Sequence, residues 1–116
     1  MQGGRSARLL MSLALVAVMS ACASGEQEVP LDSLTAEEIY RRGEFELENS
    51  RKSDEAARLF SEVERLYPYS EWAKRALIMQ AFAFHKDRDY DNSRAAAQRY
   101  IDTYPAEEDA AYAKYL

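Results

Sequence analysis

From Leu34 onward, apolar residues recur every three or four positions, the period of helices that bury one face. Thr35 and Glu38 have capping-box spacing, and Leu34 and Ile39 flank them as a hydrophobic staple, so a first helix opens at Thr35. Ile39, Gly43 and Leu47 share its inner face, and Asn49–Lys52 breaks the pattern. Ser53 reads as the cap of a second helix. Asp54 and Glu55 fall in its first turn, where the dipole favours negative charge. Ala56, Phe60, Val63 and Tyr67 form its apolar face and Pro68 stops it. Ser70 caps a third helix over about Glu71 to His85. Its many apolar residues (Trp72, Ala73, Ala76, Leu77, Ala81, Phe84) predict burial on more than one side. Lys86–Asp89 is a charged turn, Tyr90 to Thr103 a fourth helix, and a fifth begins near Asp109. No stretch alternates with period two, so the fold class is all-α.

Two Tyr-Pro pairs, Tyr67-Pro68 and Tyr104-Pro105, close successive helix pairs 37 residues apart. Helix, turn, helix, proline at that period predicts a helical solenoid. One hairpin cannot bury its apolar face alone, so hairpins must stack.

The chain before the helices has another character. Arg5 and Arg8 precede an apolar run from Leu9 to Met19, then Ser20, Ala21 and Cys22, the only cysteine. Basic, apolar, small, Cys is the order of a secretory signal with a lipoprotein cleavage box. The run is too short to cross a bilayer, which takes about 20 apolar residues. Residues 1–21 read as the signal peptide, with cleavage leaving Cys22 as the lipid attachment site. Residues 22–34 read as a lipidated flexible tether, whose polar stretch 23–33 spans at most roughly 35–40 Å when extended. Residues 35–116 form the helical domain. Met19 stands where such signals usually carry Leu. An Asp after the cysteine favours inner-membrane retention, so Ala23 points to the outer membrane, with the domain on its periplasmic face.

Removing residues 1–21 takes away only Arg5 and Arg8 among the charges, leaving 20 acidic and 13 basic residues. An acidic domain argues against nucleic acid, whose binding depends on phosphate neutralisation. It also argues against holding anionic lipid by charge, so the membrane is reached through the lipid anchor. One cysteine excludes a disulfide framework, and without a Cys/His cluster no metal site or cofactor is expected. No Ser/His/Asp set, glycine-rich phosphate loop or HExxH motif occurs, and no catalytic residue is assigned. The chain reads as a non-enzyme.

The residues resemble the tetratricopeptide repeat: a small residue in the first helix, then Ala or Ser, an aromatic four later, and Pro twelve after the Ala. Gly43, Ala56, Phe60 and Pro68 supply these in the first unit; Ala81, Ser93, Ala97 and Pro105 supply them in the second. Gln80 and Ala97 replace larger apolar residues, and the turn after Gly43 has one extra residue. The implied fold is a short right-handed solenoid of two repeats and the start of a third. Behind a lipobox and an acidic tether come Tyr-Pro-Tyr-Ser, Arg-Tyr-Ile-Asp-Thr-Tyr-Pro and Ala-Tyr-Ala-Lys-Tyr-Leu. In that order they are similar to the BamD family, lipoproteins of the outer-membrane β-barrel assembly (Bam) complex. The resemblance implies a scaffold that binds unfolded outer-membrane protein precursors by their aromatic carboxy-terminal segments and assists their insertion. It also implies five repeats, so the sequence is expected to be incomplete. The repeats that dock the barrel-forming subunit would be absent.

Transferring the repeat's groove positions gives Tyr40, Leu47, Arg75, Ile78, Phe82, His85 and Lys86 as candidate peptide-binding residues, with Glu37, Glu44 and Glu48 alongside. The apolar members would receive alternating ligand side chains, and Arg75 and Lys86 a ligand carboxylate. Apolar stripes at helical spacing also serve as core, and Trp72 is read as packing at the repeat junction. His85, the only histidine, is read as a turn residue and not a base. The competing function is a periplasmic tetratricopeptide-repeat adaptor in cell division or envelope coordination.

Overall fold

The computed structural model describes residues 28–116. The signal segment, Cys22 and the start of the tether lie outside the described residues. A short 3-10 turn at Leu31–Ser33 leads into α1 (Ala36–Phe45), α2 (Ser53–Leu66), α3 (Glu71–Lys86), α4 (Tyr90–Thr103) and α5 (Ala110–Tyr115). The architecture is all-α, with no strand among the described residues.

Each helix packs on the next in sequence, and α1 also reaches α3. Hairpins α1–α2 and α3–α4 stack in this way, and α5 lies against α4 as the opening helix of a third unit. Two apolar cores result. Ile39, Leu47, Ala56, Leu59, Phe60 and Val63 fill the first, and Leu77, Ala81, Ala96, Tyr100 and Ala113 the second. α3 lends Ala76 and Ala83 to the first and Leu77, Ile78 and Ala81 to the second, so it is buried on two sides as its composition requires.

The capping box forms: the Thr35 hydroxyl accepts from the Glu38 N–H at 3.2 Å, and the Thr35 N–H donates to Glu38 Oε2 at 2.8 Å. Ser70 caps α3 through the Ala73 N–H at 3.0 Å. Asp89 caps α4 through the Asn92 N–H at 3.2 Å. Ser53 does not cap α2. Its residue is already helical, and the cap position belongs to Lys52, which offers no side-chain acceptor. The displacement comes from the preceding segment. Glu46–Ser50 continues α1 as a wide, i→i+5 turn that ends with Arg51 in the left-handed region at φ 54°. Such a turn accommodates an inserted residue without breaking the helix. It is where the extra residue after Gly43 goes, and it carries the chain one residue further before α2 can start.

Tyr67 and Tyr104 end α2 and α4 with nearly the same backbone, φ −128° and ψ 56° and 57°. The Tyr67 hydroxyl donates to the Leu34 carbonyl, and Leu31 and Leu34 pack on the first core. The folded unit therefore takes in Leu31–Leu34, which the sequence pattern placed in the tether. No helix among the described residues is long and apolar enough to cross a membrane.

Candidate functional site

α1 and α3 are the first helices of the two stacked hairpins, and they touch. α1 contributes Tyr40 and α3 contributes Trp72, with ring centroids 5.1 Å apart and tilted by 51°. Tyr40 also meets Phe60 of α2 at 5.3 Å. The Arg75 guanidinium lies over the Trp72 ring, 5.1 Å from its centroid. Three α3 turns further on, Lys86 Nζ sits 5.7 Å from the Phe82 centroid. α3 thus presents two aromatic rings, each covered by a cation and spaced along one helix. Such a pair can meet a peptide's ring faces and its carboxylates together.

Burial pushes the Tyr40 phenol above its usual pKa; Glu44 adds to this and Arg75 offsets it. The hydroxyl end of Tyr40 is therefore placed between an acid of α1 and a base of α3, while its ring belongs to the core.

The other candidates divide by depth. Leu47 (4% exposed) and Ile78 (8%) are core side chains, one in each cluster. That leaves Phe82 as the partly exposed apolar position. Phe82 is half-buried against the first core. Glu37 is engaged by Arg41 at 2.7 Å, and Glu48 is exposed. His85 turns toward the α3–α4 connection, its ring edge-on to Tyr90 at 5.4 Å, with Nδ1 buried and unbonded. It stands apart from the Tyr40–Trp72–Arg75 group. Trp72 joins the first core at the repeat junction, against Tyr40.

Gln80, a departure from the repeat, is 6% exposed and accepts from the Arg99 guanidinium of α4 at 3.0 Å. A polar side chain is tolerated there because α4 supplies its partner. Ser93, at the small-residue position of the second unit, is fully buried and donates to the Ala81 carbonyl at 2.8 Å.

Two concavities have no helical-period signature. A cavity of about 570 Å³ lies where the 3-10 turn meets the first hairpin, with Leu31, Leu34, Phe45 and Leu59 as its apolar wall and Arg42 and Glu46 at its edge. A second, of about 360 Å³, opens between the ends of α2 and α4. Both are formed by residues from separate turns that no local pattern groups together.

Comparison with known proteins follows the same outline. The family described as YfiO, outer membrane lipoprotein, matches residues 32–116. Outer membrane protein assembly factor BamD of Caulobacter vibrioides is 32% identical over 97% of this chain and 37% of its own length. The proteins of the same name from Neisseria gonorrhoeae (27% identical, 94% of this chain, 42% of its own length) and Pasteurella multocida (27%, 90% and 39%) are also similar. This chain therefore spans about two-fifths of the length of these relatives. No solved structure matches it. The matched region takes in both hairpins, both Tyr-Pro caps and α5, and the chain belongs to the YfiO family of outer membrane lipoproteins.

Proposed function

We propose that the protein is an outer-membrane lipoprotein scaffold of the β-barrel assembly machinery. It holds unfolded outer-membrane protein precursors for insertion and acts by shape and binding, without bond-making chemistry. The observation that carries this reading is the pair of cation-covered rings on α3, Arg75 over Trp72 and Lys86 over Phe82, beside Tyr40 of α1. The names of its relatives support the assembly role over the division-adaptor alternative.

In this reading an aromatic carboxy-terminal segment lies along α3. Its rings meet the Phe82 and Trp72 region, and its terminal carboxylate pairs with Arg75 or Lys86. Removing apolar surface from water contributes roughly 25 cal/mol per Å², less the cost of ordering a flexible peptide. Acylation of Cys22 would hold the domain at the membrane, and the other Bam subunits would dock elsewhere on the protein.

Trp72 is the only tryptophan, so its fluorescence reports on this face of α3. A peptide ending in a free aromatic residue should change that emission saturably. The same peptide amidated at its carboxy terminus should bind more weakly, and Arg75→Ala combined with Lys86→Ala should remove the difference between the two. Emission that ignores both peptides would refute this assignment.

A further inference from the structure

The cations of α3 differ in what holds them. Lys74 is engaged by two carboxylates, Glu71 at 3.2 Å and Glu107 at 3.3 Å. Arg75 and Lys86 are both exposed, and among the described residues neither has a carboxylate within ion-pair distance. Each lies instead over a ring of its own helix, Arg75 over Trp72 and Lys86 over Phe82. Helical side chains lean toward the N-terminus, and both cations lean back by one turn in this way. A ring face holds a cation in place but supplies no hydrogen-bond acceptor to it. In a chain of net charge −5, two fixed cations without a carboxylate partner select an anion from outside.

Their spacing is a length. Arg75 and Lys86 are 11 residues apart, three helical turns to within about 20°, so they share one face roughly 16 Å apart along the axis. Trp72, Arg75, Met79, Phe82 and Lys86 follow one another at steps of three and four, so the space between the cations belongs to a single stripe. Met79 and Phe82 occupy it, both partly exposed. An extended peptide rises about 3.3 Å per residue, and it covers roughly 16 Å from a side chain four residues before its end to its terminal carboxylate. Side chains alternate along such a peptide, so the fourth residue back faces the same way as the last.

We propose that α3 measures its ligand: among aromatic carboxy-terminal segments it selects those with an aspartate or glutamate four residues before the end. One of the two cations takes the terminal carboxylate and the other takes the side-chain carboxylate, while Met79 and Phe82 receive the residues between. A segment with a neutral residue at that place engages one cation only. The inference rests on the reading of α3 as the peptide-binding face and adds to it a second anion at a fixed distance.

The test titrates labelled peptides ending in a free phenylalanine with the full-length protein and follows fluorescence anisotropy. Glutamate four residues before the end should tighten binding about two- to fivefold over glutamine, the scale of a partly exposed ion pair. Three residues before the end the glutamate faces away, and eight residues before the end it overshoots the pair, so neither place should give the gain. Amidating the terminus should weaken binding by a similar factor. Of Arg75→Gln and Lys86→Gln, one should remove only the effect of the glutamate and the other only that of amidation, with circular dichroism unchanged. Lys74→Gln should leave both effects in place. Peptides that bind equally with glutamate or glutamine would overturn the proposal while leaving the peptide-binding face intact. A gain equal at all three positions, or lost equally in Lys74→Gln, would reduce it to overall charge and overturn it as well. Binding by none of the peptides would remove the peptide-binding reading and this inference together.

Discussion

The ring of Phe60 occupies the place where a Cβ on Gly43 would have to stand: an ideal Cβ there falls 2.7 Å from Cε1 and 2.9 Å from Cζ. Both residues are buried, and a fully buried ring cannot swing aside without opening a cavity. Gly43→Ala should therefore destabilise by about 1–3 kcal/mol through overpacking, even though alanine is the better helix former. Phe60→Ala should cost about 3–5 kcal/mol. The two should not add. With Phe60 gone, Gly43→Ala becomes neutral or mildly stabilising, by about 0.5–1 kcal/mol. Denaturant unfolding of the four proteins in this cycle checks it, and additive costs would mean the contact is not the reason for the glycine.

Tyr67 ties the entry of the chain to the first hairpin, because its hydroxyl donates to the Leu34 carbonyl. Tyr67→Phe keeps the ring and removes the donor, with an expected loss of about 0.5–1.5 kcal/mol. The loss should be local. Amide exchange should accelerate over Leu31–Ala36 and stay unchanged in α4. Uniform acceleration would show that the bond supports the whole stack instead.

The second hairpin is held differently from the first. Where the first pairs Gly43 with Phe60, the second has Ala81, Ala97 and the buried Ser93 hydroxyl bonded to the Ala81 carbonyl. Ser93→Ala should cost about 1 kcal/mol. Ser93→Val should cost more, by overpacking, about 1–3 kcal/mol. Thermal melts of both variants test the order; a valine variant more stable than the alanine one would contradict it.

Stability should fall at both ends of the pH scale, for opposite reasons. The Glu38 carboxyl is held below its usual pKa by the Thr35 N–H and hydroxyl, Glu55 by Arg58, and Glu62 by Arg65. Their contributions are present above the ordinary carboxylate range and lost as pH falls through the lowered values. Burial raises the Tyr40 and Tyr100 phenols. Their contribution is complete below about pH 10 and lost as pH rises through the raised values. Melting temperature against pH should be flat between these limits. Glu38→Gln should flatten the acid side only. A variant that moves the alkaline side would show that the cap is not the source.

Much of this fold was legible because its signals are local. Thr35–Glu38, Ser70, and the two Tyr-Pro pairs each fix a helix end within a few residues, and the matched cap dihedrals of Tyr67 and Tyr104 reflect the repeated sequence. Ser53 misleads because a good capping residue loses its position when the wide turn before it carries the chain one residue further. Leu31–Leu34 reads as tether because its contacts, above all Tyr67 to Leu34, are distant in sequence. The candidate site was legible in part. Helical period identifies the positions shared by α1 and α3 but not which side chains stay accessible, so Leu47 and Ile78 lie in the cores while Trp72 stays partly exposed. The notch between the ends of α2 and α4 was illegible, since residues from three separate helices and their turns form it.

In the proposed function, the first helices of the stacked hairpins receive aromatic carboxy-terminal segments along α3. The most direct measurement is photo-cross-linking of such a peptide to the full-length protein and to Phe82→Glu, with circular dichroism of both. Binding along α3 requires intact helicity with a several-fold loss of cross-linking in the variant. Undiminished cross-linking at unchanged helicity would contradict it.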